Sequence, residues 1–550
     1  MLKSIYTVIA SITFCVLCLG FLIPLGASFI PLLSQSSAGF GTPSFDFVGV
    51  VKASIYTLKI ALGSMLIALI LGVPSAFFIT FRSFPGKKIL TALSAVPLCI
   101  PSLLIALGFV LSFGMQGYYN KWISSLFGLS EPPITFLYSL WGIIIAQGFY
   151  NFPLVMRTVS DAWKMLPSNE GNAARLLGAS EFRIFRTITF FQLLPSIATS
   201  AILVFLYCFF SFIIVLLFGS IGGTTLEVSI YQAARTSLNF SQASMLALVE
   251  TSIAFLVVLL YGKLEAKSKR SQGLLGDGFV SISKIGTTKY GRKNGVEIIF
   301  FVILSVLITV GFIFPLFSLV ISSLQQRKGH SQNLNLFTLY QYKMLFTRSS
   351  FIIAFRHTIE TAFSTASLSV IGALFFAILV RLLDPYKEKT FFRVIPLLPM
   401  AVSSVVMGFG LTLLVSRGTA FHLVLIQSAL AWPFAYRQIS SSLGRIPHDT
   451  LSASRLLSSN SLDTIFRVMI PLCKGPLLSA FGFCFAISCG DATLPLVLAI
   501  PRYETLALYT YRLAGSYRFN EACACGVILA LISTLLFIIS DRVSKKKEVI

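Results

Sequence analysis

Charge is what this chain has least of. Only 11% of its 550 residues are charged, against about a quarter in a soluble protein. Acidic groups are scarcest, with 20 Asp and Glu against 43 Lys and Arg. Carboxylates that could serve as an intramembrane proton relay are correspondingly few. No Ser/His/Asp or paired-carboxylate constellation stands out, so the expectation is that the chain is not an enzyme. The four His (His330, His357, His422, His448) are too scattered for a metal cluster. No CxxC is joined by a second CxxC, which excludes a zinc ribbon. The nine cysteines lie in or beside apolar runs and read as small apolar fillers. No G-x-x-x-x-G-K-[ST] occurs, so the chain has no P-loop to cradle ATP phosphates. Neither a metal nor a cofactor is implied.

What is present is hydrophobic sequence: 56% of residues are apolar and 51 are Phe. A membrane helix needs about 20 mainly apolar residues, and twelve such runs can be marked. They lie near Ile5–Ile30, Val51–Phe78, Ile89–Phe113, Phe136–Val155, Ile188–Leu217 and Ala243–Leu260. The second six lie near Val296–Leu319, Phe351–Val380, Val394–Leu414, Phe421–Phe434, Pro471–Ala499 and Ala522–Ile539. The first run is too long for the h-region of a signal peptide and reads as an uncleaved helix. The expected fold is therefore an all-α polytopic membrane protein.

The net charge of +23 would suggest nucleic acid on a soluble chain. Its distribution excludes that partner. Most basic residues cluster in alternate segments between apolar runs, as the positive-inside rule requires. That pattern puts both termini in the cytoplasm. Two loops assigned to the outside go against it, one with Arg327, Lys328, Lys343 and Arg348, the other with Arg502, Arg512 and Arg518.

The stretch Gly262–Gly295 is polar, basic and Gly/Ser-rich, the composition of a linker. It divides the chain into a first repeat (1–262), a basic cytoplasmic linker (263–295) and a second repeat (296–550). The two repeats echo each other. Val96–Phe109 matches Leu398–Leu411, Asn151–Arg157 matches Ala431–Arg437, and Thr224–Gln232 matches Glu504–Arg512. The offset is 302 for the first match (399 − 97) and 280 for the others (437 − 157). Six helices per repeat is an even number, so the halves run parallel about a pseudo-two-fold axis along the membrane normal.

Between the fourth and fifth run of each repeat lies a short polar helix, "NAARLLGASEFRIF" (Asn172–Phe185) and "SASRLLSSNSLDTIF" (Ser452–Phe466). In the first copy small residues recur about one helical turn apart, while Leu176, Leu177 and Phe185 give an apolar face. One such helix alone would read as an amphipathic helix resting on the bilayer. Two at matched cytoplasmic positions favour docking of a two-fold symmetric partner.

At these residues the chain resembles the permease subunits of binding-protein-dependent ABC importers. Their motif runs Glu-Ala-Ala, three residues, Gly, nine residues, Ile, one residue, Leu-Pro. Here Asn172 stands in the Glu position, followed by Ala173, Ala174, Gly178 and Ile188, with Phe190-Phe191 for Leu-Pro. The second copy has Ser452, Ala453, Ser454 and Ser458, and ends in Ile470-Pro471. Two further stretches, "GDATLPLVLA" (Gly490–Ala499) and "TTLEVSIYQAAR" (Thr224–Arg235), are similar to fused two-half permeases of the thiamine and ferric-iron type. The resemblance implies the type I ABC importer permease fold in a bacterial inner membrane. It also implies two copies of a P-loop ATPase on the cytoplasmic helices and a periplasmic or extracellular solute-binding protein on the other side. Thiamine, ferric iron, phosphonates and sugar phosphates stay open as solutes. The rival readings are an ion-coupled secondary transporter with two six-helix halves and a membrane scaffold or sensor.

Several polar residues inside the runs are candidates for the solute path. Asp491 is suited either to a cationic solute or to a helix terminus or hydroxyl nearby. Tyr231 and Tyr511 match across the repeat and suit either the path or the interfacial aromatic belt. Lys59 and Glu360 also match, and either pair across the axis or snorkel to water. Pro97, Pro101 and Pro399 fall inside predicted helices and would kink them.

Overall fold

In hydrocarbon every backbone N–H and C=O must be satisfied by the chain itself, which leaves the helix as the form for runs like these. The computed structural model describes residues 18–34, 46–84, 86–87, 90–91, 100–166, 169–219, 223–273, 295–325, 337–383, 395–446, 448–457 and 463–547. Among them the regular elements are all helical. Eight principal helices of the first half are α1 (Ile23–Ser28), α2 (Phe47–Phe81), α3 (Ser102–Phe113), α4 (Leu140–Lys164), α5 (Asn169–Leu176), α6 (Phe190–Phe209), α7 (Leu226–Arg235) and α8 (Phe240–Gly273). Their counterparts follow in the same order. They are α9 (Gly295–Ile308, running on through a π turn to Leu324), α10 (Ser349–Leu383), α11 (Ser404–Leu414), α12 (Ala420–Gly444), α13 (His448–Leu457), α14 (Lys474–Gly490), α15 (Leu506–Gly515) and α16 (Phe519–Lys547).

Each of the twelve apolar runs coincides, where described, with a helix or a pair of helices. By length and composition, seven helices among the described residues are able to span a bilayer, or nine if each of two bent pairs is one span. α4 and α12 fall outside that group because they carry Gln147, Asn151 and Arg157, and Gln427 and Arg437, respectively. They are inner helices, with Gln147, Asn151 and Gln427 buried.

The repeat is visible in the packing. α2 lies on α4 and α6 as α10 lies on α12 and α14, and α6 and α7 meet α8 as α14 and α15 meet α16. The irregularities repeat too. π turns occur at Cys18–Leu22 and Thr309–Ile313, and again at Phe185–Thr189 and Thr464–Met469. The offset falls from 302 to 280 because the first half has an extra helix, Tyr118–Phe127, between α3 and α4. The second half passes from α11 to α12 through a short loop.

One contact is exchanged between the halves. α1 packs on α11 of the second half, and α9 packs on α3 of the first. Both crossings bring backbone against backbone at a glycine. A methyl group at Gly410 would fall on the Pro24 carbonyl oxygen, and one at Gly108 on the Pro315 carbonyl oxygen. Small residues permit such approach where helix association depends on close packing. Ser318 secures the second crossing, donating to the Gly108 carbonyl at 3.3 Å.

Three expectations change in detail. Pro101 does not kink a continuous helix; it precedes α3 as its N-cap residue, because the ring disfavours helix at the residue before it. Pro399 lies in a short 3-10 helix, Ile395–Ala401, set at 89° to α11, so this run is broken rather than bent. Pro97 lies outside the described residues. In contrast, Pro433 and its counterpart Pro153 sit inside α12 and α4 without ending them. α8 continues to Gly273, so helix extends into the basic stretch that follows residue 262.

The two basic loops that go against the charge rule have a simple account. Arg348 pairs with Glu521 at 2.5 Å, Arg518 donates to the same carboxylate, and Arg512 meets Glu504 at 3.0 Å. Their charge is offset locally. Arg327 and Lys328 lie outside the described residues.

The glycine crossings carry a test. Gly410→Val should lower stability by about 3 kcal/mol through overpacking against backbone. Gly515→Ala, where nothing lies within 4 Å of the added carbon, should leave it unchanged. Thermal unfolding of the detergent-solubilised chain reads both.

Candidate functional site: the paired polar helices and the seam between the halves

α5 ends in a Schellman turn. Ala179 N–H reaches the Ala174 carbonyl at 3.0 Å and Gly178 N–H the Arg175 carbonyl at 2.9 Å. This turn needs a left-handed residue at its C′ position, and Gly178 has φ +83°. The glycine is thus required by the backbone, and the space beside it is open. Arg175 binds Glu181 through two nitrogens, at 2.6 and 3.0 Å, and the Asn172 side-chain oxygen at 2.8 Å. Hydrogen bonding from Arg175 holds the Glu181 carboxyl below its ordinary range. The hairpin is anchored by buried Ile184 and by Phe185, whose ring stacks on Trp163 of α4 at 5.9 Å.

α13 reproduces the surface of α5. Asn172 and Ser452 are exposed, as are Ala173 and Ala453, while Ala174 and Ser454 are half-buried. Ser458 lies outside the described residues. The leucines are more telling. Leu176 and Leu177 are 90% and 89% exposed, and Leu456 and Leu457 are 88% and 90% exposed. Four uncovered leucines on two polar helices form a repeated apolar surface.

The second candidate region is the seam where the halves meet. Here α7 and α15 begin alike. Thr225 and Thr505 cap them, and their first backbone N–H groups, Leu226 and Leu506, donate to hydroxyls of the opposing long helices. The acceptors are Thr57 at 2.9 Å and Thr358 at 2.6 Å. α7 packs on α11, and Arg235 reaches across to the Val497 carbonyl at 2.9 Å. Tyr231 and Tyr511 project from these matched helices, both half-buried, and lie within electrostatic range of each other. Tyr231 also meets the Phe212 ring at 5.2 Å. The sequence match therefore corresponds to proximity.

Asp491 stands just after α14. One carboxylate oxygen accepts from the backbone N–H groups of Thr493 and Leu494, at 2.9 and 3.2 Å, opening the short helix Thr493–Leu498. The other accepts from Gln427 at 3.0 Å. Gln427 in turn accepts from Ser488 at 2.6 Å and Thr365 at 3.3 Å. Of the roles left open, the helix-terminus contact is present. Lys59 and Glu360 are both exposed, and Glu360 pairs with Arg356 at 2.6 Å, one turn away on its own helix.

Two residues escaped the sequence reading. Glu227 of α7 and Glu250 of α8 are 1% and 0% exposed. Their carboxyls face each other beside Ser403, the N-cap of α11. A signal existed: Glu250 is the only charged residue in the run Ala243–Leu260, and the repeat sets Glu227 over Ala507. The described residues hold no group of three metal-ligating side chains.

Asp491→Ala should cost about 1–2 kcal/mol by orphaning two backbone N–H groups and the Gln427 amide. Asp491→Asn, which keeps an acceptor oxygen, should cost less. The order of melting temperatures checks this.

Comparison with known proteins agrees with this architecture. The family described as "Binding-protein-dependent transport system inner membrane component" matches residues 64–270 and again 387–548. The thiamine transport system permease protein ThiP of Brucella abortus (strain 2308) is 26% identical, covering 97% of this chain and 95% of that protein. ThiP of Escherichia coli (strain K12) is 25% identical over 95% of this chain and 96% of its own length. The putative 2-aminoethylphosphonate transport system permease protein PhnU of Salmonella typhi is 32% identical over 38% of this chain and 73% of its own. These relatives lend no support to ferric iron. They set aside an ion-coupled carrier and a scaffold. With two family matches on two structural repeats, the chain belongs to the inner-membrane permease component of binding-protein-dependent ABC importers.

Proposed function

We propose that this permease imports thiamine, docking one ATPase subunit on α5 and a second on α13. The observation that carries the docking reading is the repeated exposure of Leu176-Leu177 and Leu456-Leu457. Isolated leucines exposed to water are ordinary, but apolar pairs duplicated by symmetry mark an interaction surface. Asn172, Ala173, Ala174 and Gly178 form the first contact face. Ser452, Ala453, Ser454 and Ser458 form the second. ATP is bound and hydrolysed on those partners, and a solute-binding protein delivers from the opposite side. Thiamine rests on the near full-length likeness to ThiP proteins.

The excess of basic residues around α5, α13 and the stretch after residue 262 supports a cytoplasmic placement for them and for both termini. The chain divides into repeats at 1–262 and 296–550 about the basic linker 263–295. Tyr231 and Tyr511 flank the solute path where α7 and α15 approach, and Asp491 shapes its wall.

The paired variant Leu176→Glu, Leu177→Glu should weaken capture of the ATPase at least roughly tenfold. The same change at Leu456 and Leu457 should do likewise. Co-purification from native membranes with quantified subunit ratios reads this. Normal recovery of two ATPase copies in either variant sinks the docking assignment, and unchanged thiamine uptake by cells lacking the chain sinks the solute.

A further inference from the structure

The Glu227–Glu250 pair has no equivalent in the second half. The matched positions are Ala507 and Ala530 (227 + 280 and 250 + 280), and α15 and α16 form there without carboxyls. The fold therefore does not need these acids. Their setting is costly nonetheless. All four carboxyl oxygens are buried without a hydrogen bond of good geometry among the described residues, with the Ser403 hydroxyl close to both side chains. No Lys or Arg pairs with either side chain among those residues. The depth is also significant. Glu250 lies ten residues along α8 from Phe240 (250 − 240), about 15 Å at the helical rise and thus near the middle of a bilayer core of about 30 Å.

Two adjacent carboxylates cannot both stay ionised without compensation, and one proton held between them leaves a single negative charge. The start of α11 faces that charge, where Ser403 accepts from Val406 N–H at 3.1 Å. A helix N-terminus offsets roughly half a charge. Such a site is completed by one positive charge. Its place also fits a solute path, since broken helices at a repeat interface near the midplane are where transporters build binding sites.

We propose that Glu227 and Glu250 together bind a singly charged organic cation in the seam between the halves. The proposal rests on the permease reading and deepens it by naming the residues that hold the solute's charge. In the closed seam the pair is out of reach of water. The cation meets it when α7 parts from α11. The unmatched alanines make the site one-sided, as an asymmetric ligand requires.

The test uses the full chain purified with its ATPase from native membranes. Radiolabelled thiamine and choline are the probes, measured by equilibrium binding. The double variant Glu227→Ala, Glu250→Ala copies the second half and should fold. It should bind roughly tenfold more weakly than the natural chain. The double variant Glu227→Gln, Glu250→Gln, which keeps shape and removes the charge, should fall in the same direction. The proposal is overturned if neither probe binds the natural complex, or if the double-alanine variant binds as tightly. ATPase recovery in the same preparations reports on α5 and α13 alone, so failure of docking is not mistaken for failure of the carboxyl pair.

Discussion

A backbone amide in hydrocarbon has no water to turn to, and the seam of this protein is built around that constraint. α6 and α14 both stop short, at Phe209 and Gly490; each is followed by a short helix, Ile213–Phe218 or Thr493–Leu498, and only then do α7 and α15 begin. Breaks at that depth persist only where side chains accept the freed N–H groups. Thr57 and Thr358 do so for Leu226 and Leu506. Asp491 does so for Thr493 and Leu494. Each acceptor lies on another element or beyond a break, so satisfying the backbone also fixes how the elements are arranged. The irregular segments are held by the regular ones, and this leaves polar chemistry inside an apolar protein.

The exchanged first helices extend the same logic to the whole chain. Lipid tails are as apolar as leucine, so burial alone does little to join two halves in a membrane. Close contact must do it. Gly108 and Gly410 let α9 and α1 cross onto the opposite half with backbone touching backbone. Each half thus carries a helix that covers the other. Neither half has a complete surface alone, which explains why a single chain with two repeats behaves as one transporter body.

Much of this was legible in the sequence. Runs of apolar residues have one available form in a bilayer, so twelve helical regions could be placed without a structure. Their repeat could be read from short matches, and the two short polar helices stood out as polar islands. Prolines were less informative. Pro153 and Pro433 lie within helices, whereas Pro101 and Pro399 mark breaks, because the outcome depends on whether neighbours can satisfy the freed carbonyls. Local reading also missed what depends on pairing across distance. Arg348 looked like an exception to the charge rule until Glu521 came beside it. Glu227 and Glu250 belong to separate segments, and only the packing of α7 on α8 brings them together.

The two halves keep their symmetry on one side of the molecule and abandon it at the seam. On α5 and α13 the motif has drifted, with serines where the first copy has asparagine and alanine, yet the same two leucines stand uncovered. Under the docking proposed for α5 and α13, identical partners would meet two similar surfaces, which would constrain exposure there even as residues change. At the seam no such demand applies. Gln427 donates to Asp491, while its counterpart Gln147 has Ser211 at the matched position and an amide nitrogen without an acceptor among the described residues. The carboxyl pair belongs to the first half alone. A small solute on a pseudo-two-fold axis is itself asymmetric, and two equal walls would offer its charged end and its neutral end the same groups. On the proposed reading symmetry would serve the ATPase contacts, and its loss at the seam would give a passing molecule a direction in which to bind.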